Sequence, residues 1–208
     1  YRLDVVIATH DHPDHTTGLA AVLSQLQVGE LWLPGGGGFA SLRAVSDTPL
    51  IENPEGRLWP PTTPDKLLSE NDRSLVISLK SQGCVALLTG DIETESGLPL
   101  SLVDLLKVAH HGSKTSTSAS FVGSTLPLVA VAQMGVGNSF GHPHTEVVSR
   151  LNAAGTHLYR TDLNGLVQVN LRDGFLRVFT RHNEEDNESA DSDQKRDSLR
   201  CRDGLAKH

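Results

Sequence analysis

The feature that most constrains this chain is a six-residue run near its start that holds three histidines and two aspartates, His10-Asp11-His12-Pro13-Asp14-His15. An apolar segment at residues 4–9 predicts a buried strand before it, and apolar residues at helical spacing predict a helix at residues 16–27. So many donor groups would repel or desolvate one another unless a cation lay between them, and imidazole and carboxylate are ligands of zinc and other divalent metals. In an extended segment, residues i and i+2 share a side, so His10 and His12 can bind one ion while Asp14 and His15 reach a second. The alternative, a polar loop with chance histidines, is disfavoured by the number of fixed positions and by their structural context.

The pattern His-x-His-x-Asp-His after an apolar strand resembles the signature of the metallo-β-lactamase superfamily. Later motifs follow in that family's order, so the resemblance covers roughly residues 1–181, and its details are similar to the metallo-β-lactamase domain of ComEC-type DNA-uptake proteins. The irregular alternation of strands and helices by itself predicts only an α/β or α+β fold. The resemblance implies an α+β fold, the four-layer αββα sandwich. The Gly- and Asp-rich hairpins that open the family's fold are missing before Tyr1, so we expect either that the chain is a fragment or that its first sheet is trimmed at that edge.

A single aspartate, Asp91, stands at the end of the most apolar predicted strand, residues 84–89, directly after Gly90. A carboxylate there faces the low-dielectric core and is costly unless it is paired or bound to a metal. A turn-forming or helix-capping aspartate is the alternative. The resemblance assigns Asp91 to the carboxylate that bridges two metal ions.

Two adjacent histidines, His110 and His111, lie where the strand predicted at residues 105–109 stops. One of them should complete the second metal site. Strand alternation places them on opposite sides, so both are not expected to bind one ion. We favour His110 as the ligand, with His111 facing either the substrate or a carboxylate that fixes its tautomer, and keep the reverse assignment as a near-equal alternative.

Two further motifs are similar to ones in the ComEC-type branch. The Gly-His-Pro-His pattern predicts that His142 or His144 binds metal or assists the leaving group, although a solvated or N-capping loop would look the same. The Asn-Asp-x-Ser pattern places Asn71 near the site, although Asn-Asp is also ordinary turn chemistry.

One departure concerns the histidine that hydrolytic members of the family usually carry between the first cluster and the bridging aspartate. There is no histidine between His15 and His110, so the first ion has only His10, His12 and Asp91 from the protein. More positions remain for water or substrate, which relaxes the selectivity for tetrahedral zinc and makes manganese plausible. ComEC-type domains share this gap. We therefore expect two divalent ions, zinc or manganese.

These observations lead to a predicted set of site residues. The predicted metal ligands are His10, His12, Asp14, His15, Asp91 and His110. The residues predicted to take part in catalysis are Asp14, Asn71, His111, His142 and His144. Two ions can bind the attacking and the leaving oxygen of a phosphoryl displacement. We predict a phosphodiesterase or nuclease, with single-stranded DNA as the substrate that the resemblance implies.

Two other functions stay open at this point. The first is hydrolysis of another ester or amide, such as a phosphocholine ester, a lactone or a β-lactam. The second is a truncated, non-catalytic module that binds metal structurally or binds a partner. Proteins that bind duplex nucleic acid tightly are usually basic, so the net charge of −7 does not favour that function. Bound divalent cations would offset part of this negative charge.

The domain organisation follows from where apolar periodicity ends. We predict one hydrolase domain at residues 1–182, with a short helix at residues 39–45, and a disordered charged tail at residues 183–208. Cys84 is predicted to be a buried thiol and Cys201 to lie in the tail, so no disulfide framework follows and the compartment stays open. The domain would be cytoplasmic if free-standing and extracytoplasmic if detached from a membrane channel domain upstream. The oligomeric state also stays open.

Overall fold

The computed structural model describes residues 1–34, 42, 50–52, 58–59, 69–95, 98, 101–181 and 196–202. The chain divides into two compact units, residues 1–77 with 89–94 and residues 78–88 with 95–208. Apart from Leu42, the helix predicted at residues 39–45 lies outside the described ranges. Within these ranges no helix is long and apolar enough to cross a membrane. The mixed α+β content expected from the sequence is confirmed.

The first unit contains a small parallel sheet in the order β1-β2-β3. Its elements are β1 (Arg2–Ile7), α1 (Pro13–Gln25), β2 (Gln27–Leu33) and β3 (Leu50–Glu52). Helix α1 begins at a proline because the first helical position needs no backbone N–H donor. Its residue Leu23 belongs to a buried cluster with Val6 of β1 and with Leu31 and Leu33 of β2. Val6 is buried in β1, whereas Leu3 and Val5 are exposed, so the strand before the histidine run is less buried than the sequence predicts.

The described part of the first unit also includes residues 58–59, 69–77 and 89–94. They contain β4 (Leu58–Trp59), a 3-10 turn at Asn71–Arg73 and the start of β5 (Val76–Ser81). Strand β4 pairs antiparallel with β5 at Val76 and Ile77. The backbone N–H of Leu75 donates to the carbonyl of Thr9 at 2.9 Å, so the segment that enters β5 runs beside the histidine run.

The described part of the second unit contains strands of two sheets and three α-helices. Its parallel strands, in order as neighbours, are β6 (Cys84–Leu88), β7 (Leu105–Lys107), β8 (Val129–Ala132) and β9 (His157–Arg160). Its antiparallel strands are β10 (Leu166–Arg172), β11 (Phe175–Arg181) and β12 (Arg196–Arg200). Its helices are α2 (Ala119–Thr125), α3 (Thr145–Ala153) and α4 (Thr161–Asn164). The two sheets share a buried core in which Val129 and Tyr159 meet Leu176 and Val178.

The structure corrects the predicted disorder of the tail for residues 196–201. Strand β12 pairs with β11 from Phe175↔Arg200 to Phe179↔Arg196, and Leu199 packs against the core. Composition averaged over the tail hides this strand because only alternate residues face inward. The hydroxyl of Tyr159 also donates to the carboxylate of Asp197, which ties β12 to β9.

The predictions of a Cys84 thiol and of no disulfide framework are wrong as well, because Cys84 and Cys201 form a disulfide across 117 residues of sequence. Both cysteines are buried. The bond joins the first residue of β6 to the residue that follows β12. The C-terminal strand is therefore covalently attached to the parallel sheet, a pairing that spacing along the sequence does not indicate.

Candidate metal centre and histidine cluster

In the first unit, the histidine run and Asp91 form one cluster of nitrogen and oxygen donors. The Nε2 atom of His15 lies 3.1 Å from Oδ2 of Asp91, and Nε2 of His10 lies 4.0 Å from the same oxygen. The Nε2 atom of His10 lies 3.2 Å from Nδ1 of His12. Asp14 reaches the cluster from the solvent side, with its Oδ2 at 3.5 Å from Nε2 of His15 and 62% of its side chain exposed. Five of the six predicted metal ligands are therefore neighbours.

The turn between β1 and α1 brings these side chains together. His12 is the N-cap of α1, and its carbonyl accepts the backbone N–H groups of His15 and Thr16 at 3.0 Å. This first helical turn carries His15 back towards His10, so that their ring centroids lie 4.2 Å apart. The end of β1 and the start of α1 thus bring the side chains of His10, His12 and His15 together.

Two hydroxyl groups hold the imidazole of His10, which is fully buried. The Oγ1 atom of Thr9 and the Oγ atom of Ser74 lie 3.1 and 3.2 Å from its Nδ1. The same Ser74 Oγ accepts the backbone N–H of Asp91 at 3.0 Å. When Nδ1–H donates to these hydroxyls, Nε2 keeps its lone pair and faces Asp91, the arrangement in which histidine binds a metal.

The segment that carries Asp91 is held by a second carboxylate, that of Asp72. Its Oδ1 accepts the backbone N–H groups of Glu93 at 2.8 Å and Thr94 at 2.7 Å. Gly90 precedes Asp91 with a φ of +55°, and a Cβ there would lie 2.7 Å from Cβ of Ser74. Position 90 therefore requires glycine. The hydrogen-bonded backbone on either side of Asp91 holds its carboxylate in place.

The donor set fits divalent metal ions. Burial, and next the electrostatic effect of His15, lower the pKa of His10 from 6.5 to about 4, so this imidazole is neutral at pH 7 and able to ligate. Two ligands about 2.0–2.1 Å from one ion at tetrahedral angles lie about 3.3 Å apart, close to the 3.2 Å between the nitrogens of His10 and His12. Asn71 lies one turn before Ser74, and its Oδ1 is buried with no hydrogen-bond partner in the described ranges.

The second unit brings the other four predicted histidines into one cluster. The ring centroids of His110 and His142 are 5.8 Å apart, and those of His142 and His144 are 5.0 Å apart. The backbone N–H of His144 donates to the carbonyl of Gly112 at 2.9 Å, which joins the two motifs. Gly112 has a φ of +86°, and a Cβ there would lie 2.5 Å from Cβ of Pro143. The close approach of the two motifs depends on this glycine.

The expectation that strand alternation separates His110 from His111 is wrong. Strand β7 ends at Lys107, and both histidines adopt left-handed backbone conformations with φ of 45° and 53°. Their rings therefore lie 6.3 Å apart on a tight turn rather than on opposite faces of a strand. The Nδ1–H of His111 donates to the carbonyl of Gln133 at 2.7 Å, which leaves Nε2 as its acceptor nitrogen.

Sequence reasoning missed the residues that position the ligands. Ser74 and Asp72 belong to the Asn-Asp-x-Ser pattern, from which only Asn71 was selected as a site residue. The pattern itself was the available signal, but its contacts run to His10 and Asp91, which are 64 and 17 residues away from Ser74. Only the folded chain identifies Ser74 as the group that contacts both.

The sequence, fold and donor cluster together define the class of protein. Residues 1–131 match the metallo-beta-lactamase superfamily, and the chain belongs to that superfamily. The predicted α+β fold is that of this family.

More specifically, the chain is similar to ComEC-type competence proteins, as the motifs predicted. It is 30% identical to ComE operon protein 3 of Bacillus subtilis (strain 168) over 89% of its length. It is 31% identical to competence protein ComA of Neisseria gonorrhoeae and 30% identical to recombination protein 2 of Haemophilus influenzae, over 85% of its length in each case. The chain spans about a quarter of these relatives, namely 27%, 26% and 23% of their respective lengths.

Proposed function

We propose that this chain is a metal-dependent phosphodiesterase that hydrolyses single-stranded DNA. The observation that carries the proposal is the donor cluster of the first unit, in which His10 and Asp91 are almost completely buried side by side. Buried imidazole and carboxylate groups at these distances are stable when a cation compensates them. One relative is named a competence protein and another a recombination protein, which is consistent with a DNA substrate.

Within this proposal the chain would hold two divalent ions, zinc or manganese. His10 and His12 would bind one ion, Asp14 and His15 the other, and Asp91 both. When bound, such ions supply hydroxide near neutral pH and positive charge for the oxygens of a phosphodiester. Asp14 is the most exposed of these groups and is suited to orient an attacking water. Ser74 would keep the tautomer of His10 fixed through its contact with Nδ1.

We propose in addition that the histidine cluster of the second unit binds phosphate oxygens and donates a proton. His111 donates a hydrogen bond to the carbonyl of Gln133, and this backbone acceptor sets its tautomer. We therefore favour His111 over His110 as the metal ligand. The Nδ1 atom of His144 is buried with no hydrogen-bond partner in the described ranges, which makes it available to a bound group. His142, which lies between them, would be the proton donor.

The test is turnover by metal-loaded protein. The protein is purified with manganese or zinc, its metal content is measured, and it is assayed on bis-p-nitrophenyl phosphate and single-stranded DNA. Asp91→Asn should lower both activities by at least about 100-fold. The matched control is Asp173→Asn, the same chemical change at an exposed position in the β10–β11 turn. We expect this control to retain the activity of the original chain.

Three results would contradict the proposal. Turnover that survives Asp91→Asn would remove the catalytic assignment. Turnover of carboxyl esters without turnover of phosphodiesters would favour the alternative ester or amide hydrolase. Fewer than one metal ion per folded chain, together with no turnover, would favour a non-catalytic module.

The disulfide adds a proposal about the compartment. Structural disulfides persist in oxidising compartments and are rare in the cytosol. Because the Cys84–Cys201 bond joins two buried residues, we propose that the domain matures outside the cytosol. Thiol labelling of protein taken from acid-quenched cells should find both cysteines blocked. Two reactive thiols in most molecules would contradict this proposal.

A further inference from the structure

The loop that leads into the histidine cluster of the second unit carries a large exposed ring. Phe140 keeps 75% of its surface exposed, two residues before His142. Single exposed apolar residues are common on protein surfaces and by themselves mean little. What distinguishes Phe140 is the alignment of its ring with the rings beside it.

Three rings in this loop region lie nearly parallel. The rings of Phe140 and His142 have centroids 5.7 Å apart and planes 23° apart. The rings of His142 and His111 follow, with centroids 6.4 Å apart and planes 18° apart. Phe140 is the outermost member of this series and the most exposed to solvent. A flat aromatic ligand that stacked on Phe140 would therefore add a fourth ring to this nearly parallel series.

The exposure of Phe140 is built into the loop. The side-chain amide of Asn138 donates to the carbonyl of His142 at 2.8 Å, and its Oδ1 accepts the backbone N–H of His142 at 2.9 Å. This reciprocal pair closes the turn that contains Phe140. Gly137 and Gly141, on either side, have φ of 65° and 71°, which other residues adopt only with strain. The loop therefore holds the ring outward rather than letting it fold into the core.

We propose that Phe140 is a specificity residue that stacks on one nucleobase of a single-stranded nucleic acid. The inference rests on the proposed function, because it assumes that a phosphodiester of the same strand binds near the histidine cluster. Aromatic side chains bind single strands by stacking on unpaired bases, and every base offers a π face. A base paired within a duplex cannot reach this ring, so Phe140 would select single strands without selecting sequence. The acidic net charge of −7 makes such a contact valuable, because phosphate attraction alone is weak.

The experiment separates base contacts from phosphate contacts. Binding of the full manganese-loaded chain is measured by fluorescence anisotropy on a nuclease-resistant phosphorothioate oligothymidylate. The comparison ligand is an abasic phosphorothioate strand of the same length and charge. Phe140→Ala should weaken binding of the oligothymidylate by roughly 5- to 150-fold and leave binding of the abasic strand unchanged. Phe140→Trp should restore binding, and its added tryptophan fluorescence should be quenched by the oligothymidylate and not by the abasic strand.

The matched control is Phe175→Ala, which removes a partly exposed phenylalanine from the β10–β11 hairpin. It should bind both strands as the original chain does, and circular dichroism should find all variants folded. An equal loss on both strands, no loss with Phe140→Ala, or no difference between the strands for the original chain would overturn the proposal. Failure of the proposed function would be seen separately, as no Asp91-dependent turnover of bis-p-nitrophenyl phosphate, a substrate without a base.

Discussion

The disulfide between Cys84 and Cys201 allows a quantitative test of how the C-terminal strand is held. The chain has only these two cysteines, so a reductant cleaves this one disulfide and no other. Reduction leaves the hydrogen bonds of β12 in place and removes the covalent link between β6 and the residue after β12. The change in unfolding free energy therefore measures this link.

The expected magnitude follows from the length of the closed loop. For a sequence separation of 117 residues, the chain-entropy relation gives about 5 kcal/mol at 25 °C. Native-state strain and residual structure in the unfolded chain commonly reduce this value. We expect the reduced protein to be less stable by about 3–5 kcal/mol, a large part of the stability of a typical domain.

The assay is urea unfolding of the metal-free protein with and without a phosphine reductant, followed by circular dichroism. The Cys84→Ala/Cys201→Ala double variant is the control, because it should behave as the reduced protein and should not respond to the reductant. A difference below about 1 kcal/mol between oxidised and reduced protein would refute the reasoning. It would mean that β12 is held by its pairing with β11 and its core contacts alone.

Three further predictions concern particular side chains. Gly90→Ala should destabilise the chain by about 1–3 kcal/mol, because Gly90 has a positive φ and a Cβ there would collide with Ser74. It should also weaken metal binding measured by calorimetry. Gly123→Ala is the control and should do neither, because a Cβ at that position meets nothing within 4 Å. In metal-free protein, His10 has a folded-state pKa of about 4 against 6.5 unfolded, so the unfolded chain binds the proton first as the pH falls. Stability should therefore drop between pH 6.5 and 4 by up to about 3 kcal/mol, and urea titrations in which His10→Gln retains the full drop would contradict this assignment. Asp104→Asn should cost about 1–3 kcal/mol in urea unfolding, since its two carboxylate oxygens accept the backbone N–H groups of Val85 and Arg202; an unchanged midpoint would show that these bonds are replaced by water.

Much of the candidate site was predictable because its signals are local. The histidine run lies within six residues, and the strand before it and the helix after it follow from apolar periodicity. Asp91 was predictable because burying a carboxylate at the end of an apolar strand costs free energy unless it has a partner. The structure places its Oδ2 atom 3.1 Å from Nε2 of His15, 76 residues away in sequence. These donor groups are therefore neighbours, while their role as metal ligands stays a prediction.

The contacts that tertiary structure alone decided join residues with no local signature. This group includes the contacts of Ser74 with both His10 and Asp91. It also includes the left-handed turn at His110 and His111 and the disulfide between Cys84 and Cys201. Serine, histidine and cysteine occur in many loops, and their partners are chosen by the path of the whole backbone.

The sequence by itself thus determined the family, the donor chemistry and most of the strands and helices of this protein. Tertiary structure decided which groups position those donors, how β12 joins the second sheet and which ring stands exposed beside the histidines. The physical reason is range. Periodicity and motif spacing act over a few residues, whereas hydrogen-bond partners, disulfides and ring stacking depend on segments brought together from distant parts of the chain.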